Sequence, residues 1–149
     1  MGLITTIQTA CETRLKTHAL FQGPGAIPIL TEELGSIQSM VDKKVQVMGL
    51  VVCITVPTAK RFGEESAPGP SLLFAVVVEC WEHPKFNKSA NHAADVIEKA
   101  VALLHRHVVS AEDQIRLFVA DDAIQRIPEI PATYIAYDSL FTTHGQLSV

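Results

Sequence analysis

The chain opens with apolar residues at three- and four-residue steps, Leu3, Ile4, Ile7, Cys11 and Leu15, while Glu12, Arg14 and Lys16 stay on the other side. That spacing predicts an amphipathic helix over Leu3 to Leu15. It has to stop before Gly23-Pro24-Gly25, because proline removes a backbone donor and disfavours helix in the residue before it. A turn is expected there, followed by a short extended edge segment over Ile27 to Leu30, where Pro28 is tolerable because an edge strand has N–H groups that need no partner.

Val45 to Val56 is rich in Val and Ile and is followed by Pro57. The run predicts a strand closed by that proline, with Gly49 as a bulge or bend inside it. Thr58 to Pro70 carries Lys60, Arg61, Glu64 and Glu65 among prolines and glycines, the composition of a mobile hairpin loop. Ser71 to Trp81 is a second strongly apolar strand. It is expected to run antiparallel to the first, since a helix-free loop of this size does not make a parallel crossover. These two strands should form the centre of the sheet.

After a polar connection from Trp81 to Asn91 that contains Pro84, the residues Ala93, Ile97, Ala100, Val101, Leu104 and Val108 mark the stripe of a second helix. Ser89 or Asn91 is the expected cap, and His105, Arg106 and His107 suit the negative end of its dipole. Ile115 to Val119 and Tyr134 to Thr143 read as two further strands, separated by an excursion from Asp121 to Pro131. The order helix, strand, strand, helix, strand, strand predicts one α+β domain over residues 1–149. Its two helices are expected on one face of a mainly antiparallel sheet of about four to five strands, an architecture with no parallel-sheet nucleotide crevice.

Composition narrows the function. Hydrophobic residues make up 48% and charged residues 19% of the chain, which is globular rather than disordered. A net charge of -4 supplies no positive field for a phosphate backbone, so specific nucleic-acid binding is not expected. The longest apolar runs, Met48 to Val56 and Leu72 to Val78, are far shorter than the roughly 20 residues needed to cross a bilayer. The N-terminus has no basic leader ahead of an apolar run, so synthesis and folding in a cytosol are expected, with no membrane partner. Cys11, Cys53 and Cys80 are an odd, widely spaced set, read as buried thiols rather than a disulfide or zinc framework.

Candidate chemistry is sparse. No G-x-S-x-G elbow is present. Cys80 and His83 are a nucleophile–base pair only if the thiol sits in an accessible electropositive pocket, and Cys80 ends an apolar strand. His105 and His107 stand two apart, a spacing that points them away from each other on a helix. Glu79, Glu82 and His83 have ligand chemistry at a strand end without a further matched motif. Asp121 and Asp122 are adjacent, which on a strand end sends them to opposite sides, so a turn or capping role is the better account. Gly23-Pro24-Gly25 lacks the length and lysine of a phosphate loop. No catalytic, cofactor-binding or metal-ligating residue is assigned, and no enzyme activity is expected.

The segments AVVVECWEHPKFNKS, NHAADVIEKAVALLH and YDSLFTTHGQL carry a resemblance. Glu82, Pro84 and Asn87 after a valine-rich strand, Leu103-Leu104-His105 closing a helix, and Phe141, Thr143, Gly145 and Leu147 in the last strand resemble small tail proteins of phages and prophages. Within that set the order and size look most like the tail-terminator or tail-completion proteins of long-tailed phages, and the likeness covers most of the chain. The resemblance implies a structural protein of the virion tail, assembled in the host cytoplasm. It further implies a ring, commonly a hexamer, that stops growth of the tail tube and presents a face to the head–tail connector, with itself, the tube protein and the connector protein as partners. Another small neck or baseplate component, or a cytosolic ligand-binding module, are the alternatives. The Thr58 to Pro70 loop, through Lys60, Arg61, Glu64 and Glu65, is the candidate assembly element, since charges at an interface rim set register.

Overall fold

The computed structural model describes residues 2–31, 37–61, 71–111 and 115–146. Helix α1 spans Leu3–Leu15 as its periodicity predicts. Ile7, Cys11 and Leu15 form its buried stripe, whereas Ile4 is exposed and Gln8 is buried in its place. A single 3-10 turn at Ala19–Phe21 leads through Gly23 and Gly25, both with positive φ, to the edge strand β1, Ile29–Thr31.

The next element departs from expectation. Residues Ile37–Met48 form helix α2, so Val45 to Met48, expected in a strand, belong to a helix. Gly49 ends that helix with φ +82, the left-handed conformation that glycine adopts at helix C-termini without a Cβ penalty. It is a helix stop and not a bulge. Strand β2 then runs Leu50–Arg61. Pro57 does not close it; the register with the following strand shifts between Thr55 and Thr58, so the irregularity sits at the proline, which has no N–H to give a ladder. Residues 58–61, expected in a loop, are therefore strand.

Strand β3, Ser71–Glu82, pairs antiparallel with β2 and then, along its full length, with the last strand β8, Ile135–Gln146. Between them come α3, Ala93–Leu104, and four short strands: β4 at Val108–Ser110, β5 at Ile115–Arg116, β6 at Phe118–Val119 and β7 at Gln125–Arg126. Helix α3 ends four residues earlier than its stripe suggested, because Arg106 takes φ +65 and turns Val108 out into β4. Likewise Ile115 to Val119 is split in two at the buried Leu117, whose N–H donates to the His107 carbonyl and whose carbonyl accepts from Arg106 N.

Among the described residues the main sheet has six strands in the order β1-β2-β3-β8-β6, with β7 also on β8, and β4-β5 forms a separate pair. β1 is parallel to β2, so the sheet is mixed. Two buried clusters lie on its two sides. On one, Val52, Ile54, Phe74, Val76, Val78, Cys80 and Phe141 pack against α1 and α3. On the other, Val51, Cys53, Trp81 and Ala136 meet Val41 and Val45 of α2. The fold is α+β, but its helices occupy both faces, not one. The Tyr134 hydroxyl donates to Asp42 of α2 and its ring meets Trp81 edge-on at 5.6 Å, which ties α2 to the β8 end of that face. Among the described residues no helix is long and apolar enough to cross a membrane.

Candidate functional site

Cross-strand neighbours share a face, so the registers show what α2 leaves uncovered. Moving away from α2, the row Cys53–Glu79–Asp138 is followed by Thr55–Val77–Leu140, then Thr58–Ala75–Thr142, then Lys60–Leu73–His144. Leu73, Ala75, Val77 and Leu140 belong to neither buried cluster, and Leu140 is 40% exposed. A shallow hollow of about 280 Å³ opens here, lined by Thr58, Lys60, Leu73, Ala75, Leu140 and Thr142. This part of the sheet is a shallow, partly apolar face with Lys60 at one end.

Lys60 stands at the far end of this face opposite Leu73, whereas Arg61, opposite Leu72, lies on the other face of the sheet; both are exposed. Glu64 and Glu65, the other half of the expected assembly loop, lie outside the described residues.

Toward α2 the surface becomes acidic. Glu79 and Asp138 are register partners, and burial pushes both carboxyls above their usual range. Donation from Trp81 Nε1 at 3.1 Å offsets part of the effect at Glu79, while the Asp138 charge adds to it.

The opposite side of the strand end holds the most developed polar arrangement among the described residues. Glu82 is only 2% exposed. One of its oxygens accepts from Ala93 N at 2.9 Å and the other from Asn87 Nδ2 and His92 Nδ1, each at 2.9 Å. His92 N donates back to Asp95 Oδ2 at 2.8 Å. The cap of α3 is thus built by Glu82, His92 and Asp95, whereas Ser89 and Asn91, expected as caps, bond within the loop through Asn87. Asn87 also donates to the Asn91 carbonyl, so one buried carboxylate and one amide hold the whole 83–92 connection against the sheet.

The residues considered for catalysis do not converge. Cys80 lies in the core beneath α3, with its thiol pushed far up by burial, while His83 stacks on Phe86 and Tyr134. Glu79 and Glu82 are on different sides of the strand, one bonded to Trp81 and the other to the α3 cap. His105 Nδ1 accepts from Val119 N at 3.1 Å; His107 is held below its usual value by burial and by the Arg14 charge. Asp121 and Asp122 are exposed in the bend between β6 and β7. Among the described residues no group of three His, Cys, Asp or Glu is placed to hold a metal ion. Sequence reasoning missed the Glu82 arrangement; the signal was a glutamate ending an apolar strand shortly before an Asn and a helix start.

The chain aligns over 98% of its length, and over 99% of the other chain, with a structure described as the virion of a native gene transfer agent particle, at a TM-score of 0.58 and 12% identity. It shares that chain's fold. A second solved chain matches equally well, at a TM-score of 0.58 and 14% identity over 99% of both. At such identities the likeness is one of architecture. No protein-family model and no curated protein sequence matches.

Proposed function

We propose that this protein is a structural component of a phage-like particle, a ring-forming tail terminator or completion protein that caps the tail tube and joins it to the head connector. The observation that carries the reading is the end-to-end likeness to a virion chain. It is joined by the tail-protein resemblance of Glu82, Pro84, Asn87, Phe141 and Thr143, of which Glu82 and Asn87 hold the α3 cap. The open sheet face around Leu73, Val77 and Leu140 supplies apolar surface for a neighbour, and Lys60 supplies charge at its rim.

The first test is size-exclusion chromatography with light scattering over a concentration series, followed by negative-stain microscopy. A closed oligomer with a central opening is expected; a protein that stays monomeric to about millimolar concentration, where even weak contacts form, rejects the ring. The second is deletion of the gene from the element that carries it. Tubes of ungoverned length without joined heads are the terminator outcome, whereas heads lacking any tube point to a baseplate component instead.

A further inference from the structure

The geometry points to a head-to-tail contact in which the Asp121–Gln125 bend of one copy seats in a lysine-rimmed hollow beside β1 of the next, an inference that rests on the ring reading above. The two surfaces lie at opposite edges of one sheet: β1 ends the strand order on one side and β6 and β7 flank β8 on the other. A contact between different surfaces of identical chains is heterologous, and repeated with a suitable rotation it closes into a ring.

The receiving side is a hollow of about 440 Å³ with an apolar floor that includes Phe21, Ile27 and Met40 and a rim of Lys16, Lys43 and Lys44. Lys16 is already paired with Glu12 at 2.6 Å, so the cationic character is carried by Lys43 and Lys44, both exposed on α2. No carboxylate among the described residues lines the hollow; Glu32 and Glu33 follow β1 in the sequence and lie outside the described residues. Among the described residues β1 pairs with β2 alone and ends the strand order, the position at which a partner strand or loop can add to a sheet.

The entering side has the opposite character. Asp121 and Asp122 are exposed, and two residues on, Ile124 is a large apolar side chain left 37% exposed beside them. Arg126, the nearby cation, is engaged 5.9 Å from the Tyr137 ring. An exposed isoleucine with two carboxylates just before it is opposite in charge to an apolar floor rimmed by ammonium groups, and complementary charge selects the partner and its register.

The test is a charge swap. Lys43→Glu with Lys44→Glu, and separately Asp121→Lys with Asp122→Lys, alter only exposed side chains, so melting temperature and circular dichroism should match the native protein. Each variant alone should assemble at roughly tenfold or higher concentration than the native chain, since like charges then face each other. An equimolar mixture of the two should regain the native oligomer, because every junction in an alternating ring again joins opposite charges. Should a double reversal unfold, Lys44→Glu and Asp122→Lys carry the same mixing test. Rings unaffected by either reversal, or a mixture of folded variants that stays monomeric, would overturn this contact while leaving the ring intact. A native chain that never assembles overturns both.

Discussion

The buried carboxylate of Glu82, at the end of β3, accepts the first backbone N–H of α3 from Ala93 at 2.9 Å. A residue eleven positions upstream therefore does the work usually given to a neighbouring cap, and strand and helix are joined by one charge-assisted bond. Glu82→Ala leaves Ala93 N, Asn87 Nδ2 and His92 Nδ1 without this acceptor. It should lower unfolding free energy by about 2–3 kcal/mol, read from a urea midpoint, and an unchanged midpoint would show that water replaces the carboxylate without loss.

The same group sets a pH dependence. Burial pushes the Glu82 carboxyl up, but donation from Ala93, His92 and Asn87 outweighs it, and the net value lies below the ordinary 4.5. Its stabilisation is fully present above about 4.5 and is lost as the pH falls through the lowered value. The bond and charge of Glu82 raise His92 above its ordinary 6.5; that contribution is complete below 6.5 and is lost as the pH rises through the raised value. Stability from the pair is thus greatest between about 4.5 and 6.5. Glu82→Gln should flatten this profile in denaturant titrations across the range, and a profile as curved as the native one would assign the effect elsewhere.

Gly49 is the tightest point of the chain. A Cβ there would stand 2.2 Å from Asn87 N and 2.4 Å from Asn87 Cα, and its carbonyl accepts from His83 N at 2.9 Å. With φ at +82 as well, Gly49→Ala combines strain with a backbone clash and should cost about 2–4 kcal/mol. A loss below about 1 kcal/mol, the cost of the dihedral alone, would mean that the 83–87 loop yields easily.

Leu104 is fully buried at the end of α3. Its truncation to alanine should cost about 2–5 kcal/mol. Calorimetric melting of the variant checks this, and an unshifted transition would contradict its place in the core.

Cys11 and Cys53 have thiols pushed up by burial to about 12, and Cys80 is pushed higher still. Thiolate is the reactive form, so a disulfide-exchange reagent at neutral pH should label none of the three in the native protein and all three in denaturant. Their contribution to stability is complete below about 9 and is lost as the pH climbs toward about 12. Rapid native labelling would reveal an opening of the core.

Replacing residues 62–71 with an Asn-Gly turn should keep the β2–β3 register from Arg61 and Leu72 inward. If this segment takes part in assembly, as expected from the sequence, thermal stability should stay nearly unchanged while the oligomer weakens. An oligomer of unaltered size would confine assembly to the sheet face and edges.

The parts legible in the sequence are those where local spacing reports burial directly. Ile7, Cys11 and Leu15 fall on one side of a helix by their four-residue steps, and the continuous apolar run from Leu72 to Val78 marks β3 as a strand; neither needs knowledge of a partner. The apolar run from Val45 to Val56 was different. It contains the last turn of α2 and the first half of β2, and periodicity over so few residues does not separate a buried helix end from a buried strand.

By itself, then, the sequence determined α1, α3, the β2–β3 hairpin and an α+β class, because each follows from which residues are apolar at which local step. Tertiary structure decided where the chain changes course at Gly49, since a positive φ and an 83–87 loop packed on its bare Cα become visible only when both segments are in place. It also decided that helices cover both faces, because residues on either side of β2 are equally apolar and only α2 shows what shields Val51 and Cys53. Glu82 is the sharpest case: in the sequence it is one more charged residue after a strand, and its role arises because folding removes water from it and brings three donors within 2.9 Å.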